Sequence, residues 1–221
     1  MNGSHDLAFL GAALLVIATP GPDSLNTLAL GLARGRREGV AYALGVGAGC
    51  MTHTLWAVLG ISALVAASAP AFNLIKWLGV LYLLWLGVQA LRDKGSVGVP
   101  SAERAAERSA GQAAMPAASL RGRFMQGWLT NALNPKVMLF FLAFLPQFVD
   151  TSAGPVAGQL LWMGGVFTAI TSVAYAALAW SAGGLGERLS AKPGLARWLN
   201  RCTGGLFIAL AVRLALADRR S

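Results

Sequence analysis

Two short stretches, Thr19-Pro20-Gly21-Pro22-Asp23 and Asn131-Ala132-Leu133-Asn134-Pro135-Lys136, interrupt long apolar segments about half a chain apart. Proline has no amide hydrogen and clashes with the carbonyl one turn earlier, so each stretch is expected to break a helix and to free backbone groups. Within a membrane, such a break is tolerated only where it is buried in protein or lines a cavity. The two breaks are therefore the first places to look for a binding site.

The composition is typical of an integral membrane protein. Hydrophobic residues make up 56% of the 221 residues, charged residues make up only 12%, and the mean hydropathy is +0.58. Soluble domains carry about twice that charged fraction. A membrane-spanning helix needs about 20 residues, and six apolar runs are long enough. The chain is therefore predicted to be an all-α membrane protein with spans at residues 7–32, 39–67, 71–91, 124–148, 156–182 and 198–217.

A long polar segment at about 93–121 divides the single transmembrane domain that we predict over residues 1–221. Its Ala, Gly, Ser and charged residues cannot bury enough apolar area to fold alone, apart from a short surface helix at 102–108, and we expect shortening to be tolerated. Three spans on each side require the halves, about 5–92 and 122–217, to enter the membrane from opposite sides. We predict two inverted three-helix repeats with broken first and fourth helices, as in transporters with a site near the midplane.

The distribution of positive charge predicts the orientation. Most Lys and Arg residues fall in the first, third and fifth connections between spans. Cytoplasmic loops collect basic residues, so both termini are predicted to be periplasmic. The net charge of +9 follows from this bias. The basic face suits anionic membrane lipid, whereas nucleic acid is not an expected partner because there is no basic surface on a soluble module.

Motifs around both breaks carry a family resemblance. The first group is Ala18-Thr-Pro-Gly-Pro-Asp23, then Arg34-Gly-Arg-Arg-Glu-Gly39 and Gly45-Val-Gly-Ala-Gly49. The second is Phe124-Met-Gln-Gly-Trp-Leu-Thr-Asn-Ala-Leu-Asn-Pro-Lys136, then Phe140-Phe-Leu-Ala-Phe-Leu-Pro-Gln-Phe148. With these motifs the chain resembles the LysE/RhtB family of amino-acid exporters over nearly its whole length.

This resemblance implies a small carrier of the bacterial inner membrane that exports amino acids by proton antiport, with no cofactor. The lysine-exporting branch tends to have Gln after Pro-Gly-Pro, whereas this chain has Asp23. In this respect it is more similar to the branch that exports homoserine, threonine and leucine. A neutral amino acid is therefore the implied substrate.

Both breaks supply groups that suit a small zwitterion. A helix that restarts after Pro22 or Pro135 presents free amides and a positive dipole end, which suit a carboxylate. Asp23 or freed carbonyls suit the ammonium group. The predicted substrate-binding residues are Pro20, Gly21, Pro22, Asp23, Asn26, Asn131, Asn134, Pro135 and Lys136.

Asp23 and His53 are the candidates for proton coupling, because a carboxylic acid or an imidazole at membrane depth can take up and release a proton. Each has an alternative reading. Asp23 can instead form a structural ion pair with Lys136. His53, between two threonines, can be a hydrogen-bonded interior group.

Enzymatic function is not expected. The chain has no plausible Ser-His-Asp arrangement, no His-Glu-x-x-His helix and no phosphate-binding Gly-x-x-x-x-Gly-Lys loop, which also argues against an ATP-driven pump. A metal centre needs three or four converging ligands, and only Cys50 accompanies His53. Cys50 and Cys202 are expected to be buried free thiols. A carrier of another small solute or cation on the same fold is the alternative function.

The second span has a face of small residues, because Ala41, Gly45 and Gly49 recur every four positions. Such a face lets another helix approach closely. That helix can belong to the same chain or to a second subunit of a homodimer.

Overall fold

Every regular element in the described part of the chain is a helix, which confirms the predicted all-α class there. The structure, a computed structural model, describes residues 3–67, 102–114, 118–150 and 152–182, with scattered positions between 77 and 92 and between 201 and 215. The α-helices are α1 (Gly3–Ala18), α2 (Pro22–Arg34), α3 (Arg36–Ala67), α4 (Ala102–Ala114), α5 (Leu120–Ala132), α6 (Pro135–Leu139) and α7 (Val156–Trp180). Most of the predicted spans 71–91 and 198–217, and Cys202, lie outside the described residues.

Two of the described helices are long and apolar enough to cross a membrane by themselves, namely α3 over Arg36–Gly60 and α7. Two bent pairs also qualify if each is counted as one span: α1 with α2, and α5 with the segment Pro135–Phe148. These two to four candidates in the described residues correspond to the predicted first, second, fourth and fifth spans. The six-span arrangement remains a prediction.

Helix α3 is the central helix, and it packs along both α5 and α7. Its contact with α5 is a backbone contact, because Gly45 faces the carbonyl of Phe124 and Gly127 faces the carbonyl of Tyr42. A Cβ atom on Gly45 would lie 2.8 Å from the carbonyl carbon of Phe124, which is closer than side chains allow. The predicted small-residue face is thus confirmed, and it packs against a helix of the same chain.

Beyond α6 the helix widens into a π turn over Phe140–Phe144. Leu145 donates its amide hydrogen to the carbonyl of Phe140, five residues earlier, and the next residue, Pro146, has no amide hydrogen to continue an α-helix. The wide turn brings the rings of Phe140 and Phe141 to 5.2 and 5.1 Å from the ring of Phe167 on α7. An aromatic cluster therefore buries the segment that follows the second break.

Helix α4 is longer than the sequence predicts, and it packs on α2. The side chain of Arg34 holds its carboxyl end: Nε donates to the carbonyl of Gln112 at 3.1 Å, and Nη2 donates to the carbonyl of Ala113 at 2.9 Å. Cations stabilise the free carbonyls at the end of a helix. The sequence predicts only a short helix here, because the segment cannot bury enough apolar area to fold alone. Its contact with α2 supplies a packing partner for the longer helix.

The first and third connections lie at the same end of the helix bundle, as the charge pattern predicts. Arg34 contacts α4 there, and the guanidinium of Arg123 at the start of α5 bonds to Glu38 at the start of α3, with 2.7 Å between Nε and Oε2. Arg123 is only 1% exposed. Arg123 directly precedes the predicted span 124–148 and so counts among the basic residues of the third connection, but in the structure it is a buried residue that joins two helices.

We expect Gly45→Ala to destabilise the protein by about 1–3 kcal/mol, because the added methyl group overpacks the contact between α3 and α5. Thermal unfolding of the detergent-solubilised protein measures this. Gly60→Ala on the same helix is the matched control, since a Cβ atom there meets nothing within 4 Å. A Gly45→Ala variant as stable as the Gly60→Ala variant would contradict the close backbone contact.

Candidate functional site

The first helix break lies between α1 and α2, whose axes differ by 52°. Thr19 and Pro20 leave the helix, Gly21 is extended, and Pro22 is the first residue of α2. The amide of Gly21 donates to the hydroxyl of Ser24 at 3.0 Å, which closes the new helix start. Asp23 is therefore the second residue of a restarted helix.

The second break repeats this arrangement between α5 and α6, and the segment Pro135–Phe148 is bent by 51° from α5. Asn134 caps the new helix, because its Oδ1 accepts the amide hydrogen of Lys136 at 3.0 Å. Pro135 is again the first helical residue and Lys136 the second. Asp23 and Lys136 thus occupy equivalent positions in the two breaks and carry opposite charges.

The carboxylate of Asp23 is bound by the second break. Its Oδ2 accepts hydrogen bonds from the side-chain amides of Asn131 and Asn134, each at 2.8 Å. Asp23 is 2% exposed, and its other oxygen, Oδ1, has no hydrogen-bond partner among the described residues. Three of the predicted site residues, Asp23, Asn131 and Asn134, are therefore in contact, and Oδ1 of the carboxylate is available to a ligand.

The ammonium group of Lys136 is bound by the first break. Its Nζ donates to the carbonyl of Thr19 at 2.9 Å and to the carbonyl of Val16 at 3.3 Å. Val16 lies in the last turn of α1 and Thr19 directly follows the helix, where no further helical turn supplies donors. A Cβ atom on Gly21 would lie 3.0 Å from Nζ, so glycine leaves room for the lysine.

The direct ion pair between Asp23 and Lys136, which the sequence left open as an alternative, is not formed. Each charged group bonds instead to uncharged polar groups of the opposite break. The reason is geometric, because each of the two residues lies in the first turn of a helix. The carboxylate of Asp23 reaches the two asparagine side chains of the second break, and the ammonium group of Lys136 reaches the backbone carbonyls of the first break.

Tyr175 on α7 is a site residue that sequence reasoning missed. Its hydroxyl donates to the carbonyl of Ile17 at 3.2 Å, so it binds a third backbone group at the end of α1. The side chain is 5% exposed. A tyrosine inside an apolar span was the only signal, since a buried hydroxyl must find a partner.

His53 is buried on α3, and its Nε2 lies 2.9 Å from the backbone carbonyl of Asn131. A carbonyl only accepts, so we assign the proton of the neutral ring to Nε2, which leaves Nδ1 as an acceptor. Nδ1 has no partner among the described residues. His53 is thus a buried, hydrogen-bonded group that Asn131 connects to Asp23, and its part in proton coupling stays a prediction.

The structure separates Asn26 from the other predicted site residues. Its side-chain amide donates to the hydroxyl of Tyr42 at 3.3 Å, and its Oδ1 accepts from Arg108 at 3.2 Å. The rings of Pro22 and Pro135 are exposed, and both prolines set the backbone path of the breaks; their contact with a substrate stays a prediction. Pro20 is half-buried in the first break.

The site offers acceptors for a small cationic group. Asp23 Oδ1 and Asn131 Oδ1 are both buried, and neither has a described hydrogen-bond partner. Lys136 has three N–H donors and two described bonds, which leaves one donor for an anionic group. Within the described residues, no group of three or more His, Cys, Asp and Glu side chains could hold a metal ion. Cys50 is a buried free thiol, as predicted.

The chain is similar to other proteins along nearly its whole length. The model of the LysE type translocator family matches residues 14–218. An uncharacterised membrane protein of Vibrio cholerae is 33% identical over 96% of each chain. A leucine efflux protein of Enterobacter sp. is 31% identical over 94% of this chain and 93% of its own, and a homoserine/homoserine lactone efflux protein of Salmonella typhimurium is 29% identical over 95% of each. No solved structure matches the chain significantly.

We expect Asn134→Ala to lower the free energy of unfolding by about 2 kcal/mol, because it removes both the cap of α6 and a hydrogen bond to a buried carboxylate. Thermal unfolding in detergent measures the loss. Ser119→Ala is the matched control, since it removes the cap of α5, a 3.1 Å bond to the amide of Gly122, at an exposed position outside the site. Equal losses in the two variants would show that the bond to Asp23 contributes nothing.

Proposed function

The chain belongs to the LysE type translocator family, and we propose that it exports neutral amino acids of the threonine, homoserine or leucine type across the bacterial inner membrane. Family membership makes it a membrane translocator and not an enzyme. Relatives at about 30% identity are named as efflux proteins for leucine and for homoserine. The observation that carries the proposal is the buried carboxylate of Asp23, which the opposite break holds by one oxygen only.

In this proposal the two breaks bind the two poles of a zwitterion. Asp23 Oδ1, with Asn131 Oδ1, takes the ammonium group of the amino acid. The remaining donor of Lys136 takes the carboxylate, because a charge-assisted hydrogen bond is stronger than one between neutral groups. A substrate that brings both charges needs few fixed charges in the protein, which agrees with the low charged fraction of 12%.

We propose proton antiport through Asp23. One carboxylate oxygen cannot hold a proton and an ammonium group at the same time, so proton binding and substrate binding exclude each other there. Alternate occupancy of one group is sufficient to couple an outward substrate step to an inward proton step. His53 is the second candidate for proton coupling, because it lies close to this group: Asn131 bonds to it through the backbone and to Asp23 through the side chain.

The arrangement in the membrane is part of the proposal. Two inverted repeats, about 5–92 and 122–217, are supported by the equivalent Pro-Asp and Pro-Lys positions and by the similar bends of 52° and 51°. The basic end of the bundle, with α4, faces the cytoplasm, and both termini face the periplasm. A homodimer remains a prediction from the sequence.

Proteoliposomes preloaded in turn with labelled threonine, homoserine, leucine, lysine and arginine test the function. We expect efflux of at least one neutral amino acid, faster when an imposed pH gradient drives protons inward, and little efflux of lysine or arginine. Liposomes without protein give the background. Absence of efflux for all five from folded protein would contradict amino-acid export and favour the alternative, a carrier of another small solute or cation on the same fold.

We expect Asp23→Asn to abolish gradient-driven export while the protein stays folded. Asparagine keeps a side-chain oxygen that can accept the bonds from Asn131 and Asn134, but it cannot take up the coupling proton. Asp6→Asn, a carboxyl group at the start of α1, is the control for loss of charge. Transport by Asp23→Asn at the normal rate and with the normal gradient dependence would remove Asp23 from the mechanism.

A further inference from the structure

Arg108 of α4 lies at the exposed end of a polar path that leads to Asp23. Its Nη1 donates to Asn26 Oδ1 at 3.2 Å, and Asn26 donates to the buried hydroxyl of Tyr42 at 3.3 Å. Asn26 follows Asp23 by three residues on α2, so the two side chains lie on one face of the helix. The bonded groups of this path thus end one helical turn from the buried carboxylate, on the same face of α2.

The contact between α4 and α2, which places Arg108 beside Asn26, is polar, and some of its polar atoms have no described hydrogen-bond partner. Arg34 holds the carboxyl end of α4 by two hydrogen bonds to backbone carbonyls. Ser109 Oγ and Gln112 Oε1 on α4 are withdrawn from solvent and have no described partner. Unsatisfied polar atoms weaken an interface, so the contact between α4 and α2 is weaker than a fully hydrogen-bonded one.

We propose that Arg108 is a substrate-binding residue that takes the carboxylate of an amino acid at the α4 end of the bundle, before its ammonium group reaches Asp23. The inference rests on the proposed function. A guanidinium group binds a carboxylate through two parallel hydrogen bonds, which are stronger than its single bond to a neutral amide. The substrate carboxylate therefore displaces Asn26 from Arg108.

The charges at the two ends of the path match the two poles of the substrate. Arg108 is exposed and cationic, whereas Asp23 is buried and anionic, so an incoming zwitterion is oriented with its ammonium group toward the site. Asn26, once released by Arg108, keeps its side-chain amide on Tyr42 and has a free acceptor for the ammonium group as it passes. This gives Asn26 a role along the path, although it lies outside the bonds that join the two breaks.

Transport kinetics in everted membrane vesicles test this role, because the cytoplasmic face of such vesicles is accessible and export appears as uptake. The substrate is the amino acid that the efflux panel identifies. We expect Arg108→Gln to raise KM about tenfold, as for loss of a charged hydrogen-bonding partner, while the maximum rate stays within about twofold. Arg108→Lys keeps the charge without the paired donors, so its KM should lie between the KM of the wild type and that of Arg108→Gln.

Two controls separate substrate binding from a general effect of charge or folding. Arg121→Gln removes an exposed arginine from the start of α5 at the same end of the bundle, and its KM should equal that of the wild type. The amide of the substrate has no carboxylate to bind Arg108. The concentration of the amide that halves uptake should therefore be the same for the wild type and for Arg108→Gln.

Three results would overturn the role of Arg108. They are an unchanged KM in Arg108→Gln, a rise of KM in Arg121→Gln as large as that in Arg108→Gln, and inhibition by the amide that weakens in Arg108→Gln by the same factor as KM rises. KM does not depend on the amount of protein, so a lower membrane content of a variant does not imitate the effect. Wild-type vesicles that take up no amino acid contradict the proposed function, and the role of Arg108 with it. Uptake by the wild type with an unchanged KM in the variant contradicts Arg108 alone.

Discussion

A helix that breaks inside a membrane leaves backbone carbonyls without partners, and no lipid group can supply them. Here each break is completed by the other. Lys136 binds two carbonyls at the end of α1, and Asn131 and Asn134 bind the carboxylate of Asp23 at the start of α2. Removing the Lys136 side chain leaves two carbonyls without this donor, and removing the Asp23 carboxylate leaves two buried side-chain amides without this acceptor. The two halves of the chain are thus held together by the same residues that make the site.

The close packing of α3 positions this arrangement. Glycines at the contact between α3 and α5 bring the two backbones together, and Gly49 leaves the room that the Asn131 side chain needs. His53 then reaches the backbone of Asn131 from α3. A larger residue on this face of α3 would move Asn131 away from Asp23, so packing and function depend on the same contact.

The site keeps one charged group of each sign available for a ligand. Asp23 keeps one free oxygen and Lys136 one free donor, whereas their other bonds go to neutral groups that need not move. A direct ion pair would have used both charges on each other and left nothing for a ligand. The contact of α2 with α4 joins Asn26 to Arg108 at the basic end of the bundle.

The sequence by itself determined the membrane class, the two to four candidate spans among the described residues, both breaks and the small-residue face, because hydropathy, proline and glycine act locally. It also named Asp23, Asn131, Asn134 and Lys136 as one site. Only the tertiary structure decided which of these groups bond to each other, since a pair 108 residues apart, Asn131 and Asp23, has no local signature. For the same reason Tyr175, the buried pair of Arg123 with Glu38, and the docking of α4 on α2 could not be read from the sequence: each depends on which helices become neighbours.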